Sequence, residues 1–130
     1  MLRFGYFEDF KGGPKFLFWG DGSAVCQLGD LLRSGSVGNG PLGLDPFSKA
    51  VDGKTVMIRS VSRSTGLRPA GSYFEWSLSK EDMVEFAELV DVLADRKGSG
   101  HQYLTCGTAD EITVMVSKDE YPAELGPQLA

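Results

Sequence analysis

His101 is the only histidine in the chain, so any mechanism or metal site that needs two imidazoles is out of reach. It follows Gly98-Ser99-Gly100 and opens Gln102-Tyr103-Leu104, the position of a strand-start residue that hydrogen-bonds a carbonyl or carboxylate. Two thiols could act as nucleophiles. Cys106, five residues on along one strand, points to the face opposite His101, and neither it nor Cys26 has a neighbour that would lower a thiol pKa. Both lie in apolar stretches far apart in sequence, so the expectation is two reduced, packed thiols, with no disulfide and no metal. His101, Tyr103 and Glu120 are the residues around which a small hydrolase or ligand-binding enzyme would build a pocket, beside the 36–54 loop. The structural alternative is that Lys118 and Glu120 close the last strand with a local ion pair while Tyr121-Pro122 folds back on the sheet.

Glycine runs offer less. Gly35-Ser36-Val37-Gly38-Asn39-Gly40-Pro41 lacks the preceding strand and following helix that let backbone N–H groups converge on a phosphate. Trp19-Gly20-Asp21-Gly22-Ser23 does join a predicted strand to a predicted helix, but Asp21 would repel an anion and suits an N-cap instead. Paired carboxylates at Asp110-Glu111 and Asp119-Glu120 read as surface turns. The exception is the 81–95 segment, where Glu81 and Glu85, and Asp91 and Asp95, are like-charged at i,i+4, and Glu85, Glu88 and Asp91 follow at i,i+3. Each such pair costs roughly 0.2–0.5 kcal/mol where an opposite pair would stabilise. Val92 projects from the middle of this acidic side. Glu81, Glu85, Glu88, Asp91, Val92 and Asp95 are therefore the candidate binding residues, a docking surface for a basic partner anchored by Val92 with Val84 or Leu89 beside it. A plain solvated face is the alternative.

Those residues need elements to hold them. Leu2–Phe7 and Lys15–Trp19 are short aromatic-rich runs around Lys11-Gly12-Gly13-Pro14, a hairpin pattern. Asp21 or Ser23 caps a helix whose Ala24, Val25, Leu28, Leu31 and Leu32 share a face, with Gly35 placed to end it. Gly29 within it costs about 1 kcal/mol relative to alanine, so neighbours must supply stability. Ser36–Lys54 reads as a long loop. Thr55–Val61 and Tyr73–Leu78 alternate as strands and predict an antiparallel pair around a Ser64–Ser72 connection, with Phe74, Trp76 and Leu78 facing inward. Ser79 caps a helix that Gly98 would close, and Met83, Phe86, Ala87, Val90, Leu93 and Ala94 share an arc of about 120°. Gln102–Cys106 and Ile112–Val116 complete the pattern. The fold class is α+β, a mostly antiparallel sheet of about six strands in the order β-β-α-β-β-α-β-β with two helices packed on it.

The whole chain, 1–130, fits one domain with a frayed tail at 123–130: 130 residues, 42% hydrophobic and 24% charged, can bury a core unaided. No apolar run spans a membrane, and Met1-Leu2-Arg3-Phe4 does not open a signal peptide, so the expectation is a cytoplasmic protein that does not engage a membrane. The net charge of −5 argues against nucleic acid, which requires a basic surface. The acidity is uneven: residues 1–74 balance to +3 and residues 75–130 to −8. No cofactor is indicated.

Gly100-His101-Gln102-Tyr103-Leu104 and Val114-Met115-Val116-Ser117-Lys118-Asp119-Glu120-Tyr121-Pro122, with the Trp76-Ser77-Leu78-Ser79 helix entry, resemble small uncharacterised bacterial proteins, some grouped with the immunity proteins of contact-dependent or polymorphic toxins. The resemblance covers about the last third of the chain and carries no catalytic residue. It implies a non-enzymatic inhibitor that masks a partner. Three readings follow: a protein-binding module with an acidic helical face, a small enzyme with a pocket near His101, and a homo-oligomer joined through an edge strand or the Tyr73 side of its sheet.

Overall fold

Apolar alternation along the first twenty residues builds a hairpin: β1 (Leu2–Phe10) pairs antiparallel with β2 (Gly13–Gly20), turning through Lys11 and Gly12, both at positive φ. The computed structural model describes residues 2–38, 40–44, 48–50 (backbone) and 54–122, so the expected tail at 123–130 lies outside the described residues. Asp21 caps α1 (Gly22–Val37) by accepting from the Ala24 N–H at 2.9 Å. Gly35 does not end this helix. It is buried two residues short of the end, and a Cβ there would meet Met83 Sδ at 3.1 Å and Leu42 Cδ1 at 3.2 Å.

The segment expected to be one loop contributes β3 (Leu42–Gly43) and β4 (Ser48–Ala50). There follow β5 (Val56–Ser60), β6 (Gly66–Ala70), β7 (Tyr73–Leu78), α2 (Lys80–Asp95), β8 (Gly100–Leu104) and β9 (Thr113–Lys118). The strands form two mixed sheets, one in the order β4-β1-β2-β9-β8 and one in the order β3-β5-β7-β6. The α+β class holds, whereas the single antiparallel sheet does not. Helix-bridged and long-range pairings are parallel: β2 with β9, β1 with β4 and β5 with β7.

The expected antiparallel pair of Thr55–Val61 and Tyr73–Leu78 is thus corrected. The intervening segment is itself a strand, β6, antiparallel to β7, so the chain crosses the end of β7 before returning. Val61 N–H and Thr65 N–H donate to Leu78 O and Ser77 O along that crossing. Pro69 sits in β6, and β6 is an edge, the one sheet position where a missing N–H costs no ladder bond.

Both sheets and both helices feed one core. Phe4, Phe16, Phe18, Val114 and Val116 meet Val56, Ile58, Phe74 and Trp76, and the helices add Val25, Leu28, Leu32, Met83, Phe86 and Val90. Aromatic rings carry the join: Phe16 to Phe74 at 5.0 Å, Phe18 to Trp76 at 5.7 Å and Trp76 to Phe86 at 6.1 Å between centroids. The helices run antiparallel, since Gly22, Gly29 and Gly35 of α1 lie against Ala94, Ala87 and Met83 of α2. A Cβ on Gly29 would come within 2.7 Å of Asp91 Oδ1. The glycine that weakens the helix alone leaves room for the Asp91 carboxylate that Arg33 holds, while the α2 backbone at Ala87 O would stay at an ordinary 3.5 Å from that Cβ.

The outer face of the five-stranded sheet is apolar too. Leu17, Trp19 and Met115 are buried there, with Phe7, Phe10 and Tyr121 packed on them. Thr113, Met115 and Ser117, which alternate along β9 with its core-facing residues, are accordingly half-buried or buried on this face.

Candidate functional site

Sequence dictates most of the geometry of the α2 surface. Ser79 accepts from the Asp82 N–H at 3.1 Å and starts the helix as expected. The stripe Met83, Phe86, Ala87, Val90 and Leu93 is buried, which turns Glu81, Glu85, Glu88 and Asp95 to water, all exposed. The helix ends at Asp95 with Arg96 as its C-cap, and Gly98, at φ +82°, turns the chain two residues later. Buried Lys118 satisfies the end by donating from Nζ to Arg96 O.

Among the described residues no cation lies within ion-pair distance of Glu81, Glu85, Glu88 or Asp95. Asp91 differs. Arg33 reaches across from α1 to pair with it, and Arg33 also faces Asp30 at 3.5 Å, so Asp91 is a helix-to-helix contact and not a free member of the acidic face. Val92 is 70% exposed and Val84 is 41% exposed. At about 100° per residue, Val84, Asp95, Glu88, Glu81, Val92 and Glu85 share an arc of about 100°, with the two valines about 12 Å apart along the axis. Leu89 is half-buried against the core and takes no part.

His101 lies on the edge strand β8, on the outer face of its sheet and opposite Ser117. Its Nδ1 is 3.1 Å from Glu120 Oε2, and the other carboxylate oxygen accepts from Ser117 Oγ. Tyr103, 40% exposed, meets the imidazole edge-on at 5.6 Å. The carboxylate partner expected for His101 is present. The expected Lys118–Glu120 pair is not: strand alternation sends Lys118 to the helix side and Glu120 to the outer side. Burial acts to raise the Glu120 carboxyl. Hydrogen bonds from Ser117 and His101 and the nearby charges of His101 and Lys11 outweigh it, holding the group below the usual carboxylate value.

This arrangement orients an imidazole but offers it no nucleophile. Ser117 is fully buried and its hydroxyl is committed to Glu120. Cys106 packs against the core on the other side of the sheet, where burial, then the charges of Glu111 and Asp82, push its thiol up to about 11. Of the 36–54 segment, the described strand β4 lies at the opposite edge of the sheet from β8, about 19 Å away over four strand spacings. Of the surface depressions lined by described residues, one of about 270 Å³ lies at Gln27, Asp30, Leu31 and Ser34, and another of about 390 Å³ lies at Ser60, Val61, Ser62, Lys80 and Glu81. Neither contains His101.

Cys26 is exposed on α1, contrary to the expectation that it is packed, while half-buried Cys106 meets it in part. Among the described residues no three His, Cys, Asp or Glu side chains gather as metal ligands, and no helix is long and apolar enough to cross a membrane.

A second polar cluster escaped sequence reading. Ser64 Oγ donates to Asp82 at 2.5 Å and accepts from the Ser79 N–H at 2.7 Å, while Glu111 accepts from the Cys106 and Thr108 N–H groups. The Ser64 bonds tie the start of α2 to the β5–β6 connection, and the Glu111 bonds brace the β8–β9 loop from within. Only Asp110-Glu111 hinted at it, as a turn.

The chain matches no protein-family model, no curated protein and no solved structure.

Proposed function

We propose that this chain is a non-enzymatic protein-binding module that presents the α2 face to a basic partner, in the specific form of an immunity-type inhibitor of a basic bacterial toxin. One observation carries the reading. A helix that has already committed its apolar stripe to the core leaves two valines exposed among four carboxylates that no described cation neutralises. Exposed carboxylates alone would serve solubility. A valine at 70% exposure in their midst adds an apolar contact that solubility does not require, and the pairing of apolar centre with charged surround is how a steered interface is built. The toxin-inhibitor form rests on the resemblance of the C-terminal segments and on charge complementarity with a cationic enzyme.

The test is binding to the product of the adjoining open reading frame, and to basic proteins captured from the native lysate, at about 50 and 500 mM salt. Binding is expected to weaken steeply with salt, to be lost in Glu85→Lys with Glu88→Lys, and to weaken in Val92→Asp. Binding that ignores salt and survives the charge reversal would remove the proposal.

A further inference from the structure

The turn after β9 is built in an unusual way. Asp119 takes φ +58°, a left-handed conformation uncommon for a residue with a Cβ, and its N–H donates to Gly20 O at 2.9 Å. The next residues then lie across the outer face of the sheet. Glu120 accepts from Ser117 and His101, Tyr121 meets the Phe10 ring at 5.8 Å, and Pro122 O accepts from Trp19 Nε1 at 3.1 Å. Beneath them lie Leu17, Trp19 and Met115. We propose that residues 119–122 form an acid-releasable clasp, closed over this apolar cluster by the Glu120 carboxylate and opened when that carboxylate takes up a proton.

The chemistry follows from what each group can do. An ionised carboxylate accepts from both the Ser117 hydroxyl and the imidazole. Once protonated it loses its charge, so both bonds lose their charge assistance, and the protonated oxygen becomes a donor that can keep its contact only if its partner stops donating and accepts instead. The groups facing Glu120 are His101 and, beyond its ring, Tyr103 from β8, Ser117 from β9, Lys11 from the β1–β2 turn, and Tyr121 beside it. Lys118 points to the opposite face. The positive members favour the ionised form, so Glu120 titrates lower when the clasp is closed than when it is open. Its contribution is therefore complete above the ordinary carboxylate range and is lost as pH falls through the lowered value. Burial, and after it the Glu120 charge, hold the Tyr121 phenol above its usual value, so it stays neutral throughout this range.

Trp19 reports the clasp directly, because its indole N–H is the donor to Pro122 O. Trp76, fully buried in the main core, reports global unfolding. In nitrogen-15-labelled full-length protein, indole exchange at Trp19 should lose about tenfold in protection as pH is lowered through the Glu120 titration, before Trp76 changes. Glu120→Gln should show the low Trp19 protection already at neutral pH, with Trp76 as in the parent. His101→Gln should shift the midpoint of the parent's transition upward, because one stabilising partner of the carboxylate is gone. If Trp19 and Trp76 lose protection together at one pH, or if folded Glu120→Gln keeps Trp19 protection within about twofold of the parent, the clasp is overturned. Should Glu120→Gln fail to fold, the order of loss in the parent decides.

Discussion

At the scale of single residues, Gly66 shows how one missing side chain fixes a contact between distant segments. It sits at φ +86°, and a Cβ there would fall 2.7 Å from Glu111 Cβ. Gly66→Ala would thus incur both the left-handed backbone cost and the displacement of Glu111 from the Cys106 and Thr108 N–H groups, and is expected to destabilise by about 2–4 kcal/mol in chemical denaturation. The thiols separate in the same way. With its thiol pushed up to about 11 by burial and two carboxylates, Cys106 is almost wholly protonated near neutral pH, whereas Cys26 is exposed. Limiting iodoacetamide at neutral pH should label Cys26 and leave Cys106 intact, as peptide mass spectrometry will show; labelling of Cys106 first would contradict its assigned surroundings. The His101–carboxylate contact was legible because a histidine after a glycine turn needs a partner. The identity of that partner was not, because sequence alone does not reveal that Glu120 and Lys118 leave the last strand on opposite faces.

Elements were legible where a local pattern was strong enough to decide them. The aromatic alternation of β1 and β2, the Ser79 cap with its following stripe, and the β8–β9 hairpin are all local signals, and all were realised. β6 was not legible. Gly66 and Pro69 read as turn residues, and only its edge position and the bulk of Leu67 against the core make that segment a strand. Parallel pairing of β5 with β7 is likewise a consequence of that hidden strand, not of any residue within either partner. Gly29 and Gly35 looked like a weak point and an end for α1. Against α2 they leave room for side chains of the neighbouring helix, Gly29 for the Asp91 carboxylate and Gly35 for Met83, a fact that needs the second helix in view. For α2 the two faces make opposite predictions. Val90→Asp would place an unpaired charge in the core and should abolish cooperative unfolding or cost more than about 4 kcal/mol, while Val92→Asp should change stability by no more than about 0.5 kcal/mol. A large loss of stability in Val92→Asp would show that its side chain is covered, and the interface proposal would lose its apolar centre.

For the whole molecule, the uneven charge poses a question of stability against function. Residues 75–130 carry a balance of −8 in a chain of net −5, and four exposed carboxylates of α2, Glu81, Glu85, Glu88 and Asp95, have no counter-ion among the described residues, whereas Asp91 pairs with Arg33. Like charges at helical spacing repel, and mobile ions screen them, so raising salt from low ionic strength should raise the thermal midpoint. Substituting Glu85→Lys with Glu88→Lys goes further. Position 85 would then attract Glu81 and position 88 would attract Asp91, while the repulsion between the two lysines replaces the one already present between Glu85 and Glu88. The balance favours the folded helix by about 0.5–1 kcal/mol, a few degrees in a domain of this size. An acidic face kept only for solubility would lose little by that exchange. An acidic face kept for a basic partner would lose the partner while the fold gained stability, which is the trade expected where a surface is held away from its stability optimum by binding. Calorimetry and salt-dependent binding on the same double variant therefore decide together: a higher midpoint with binding lost supports the interface, and a higher midpoint with binding intact leaves the carboxylates with no role beyond solvation.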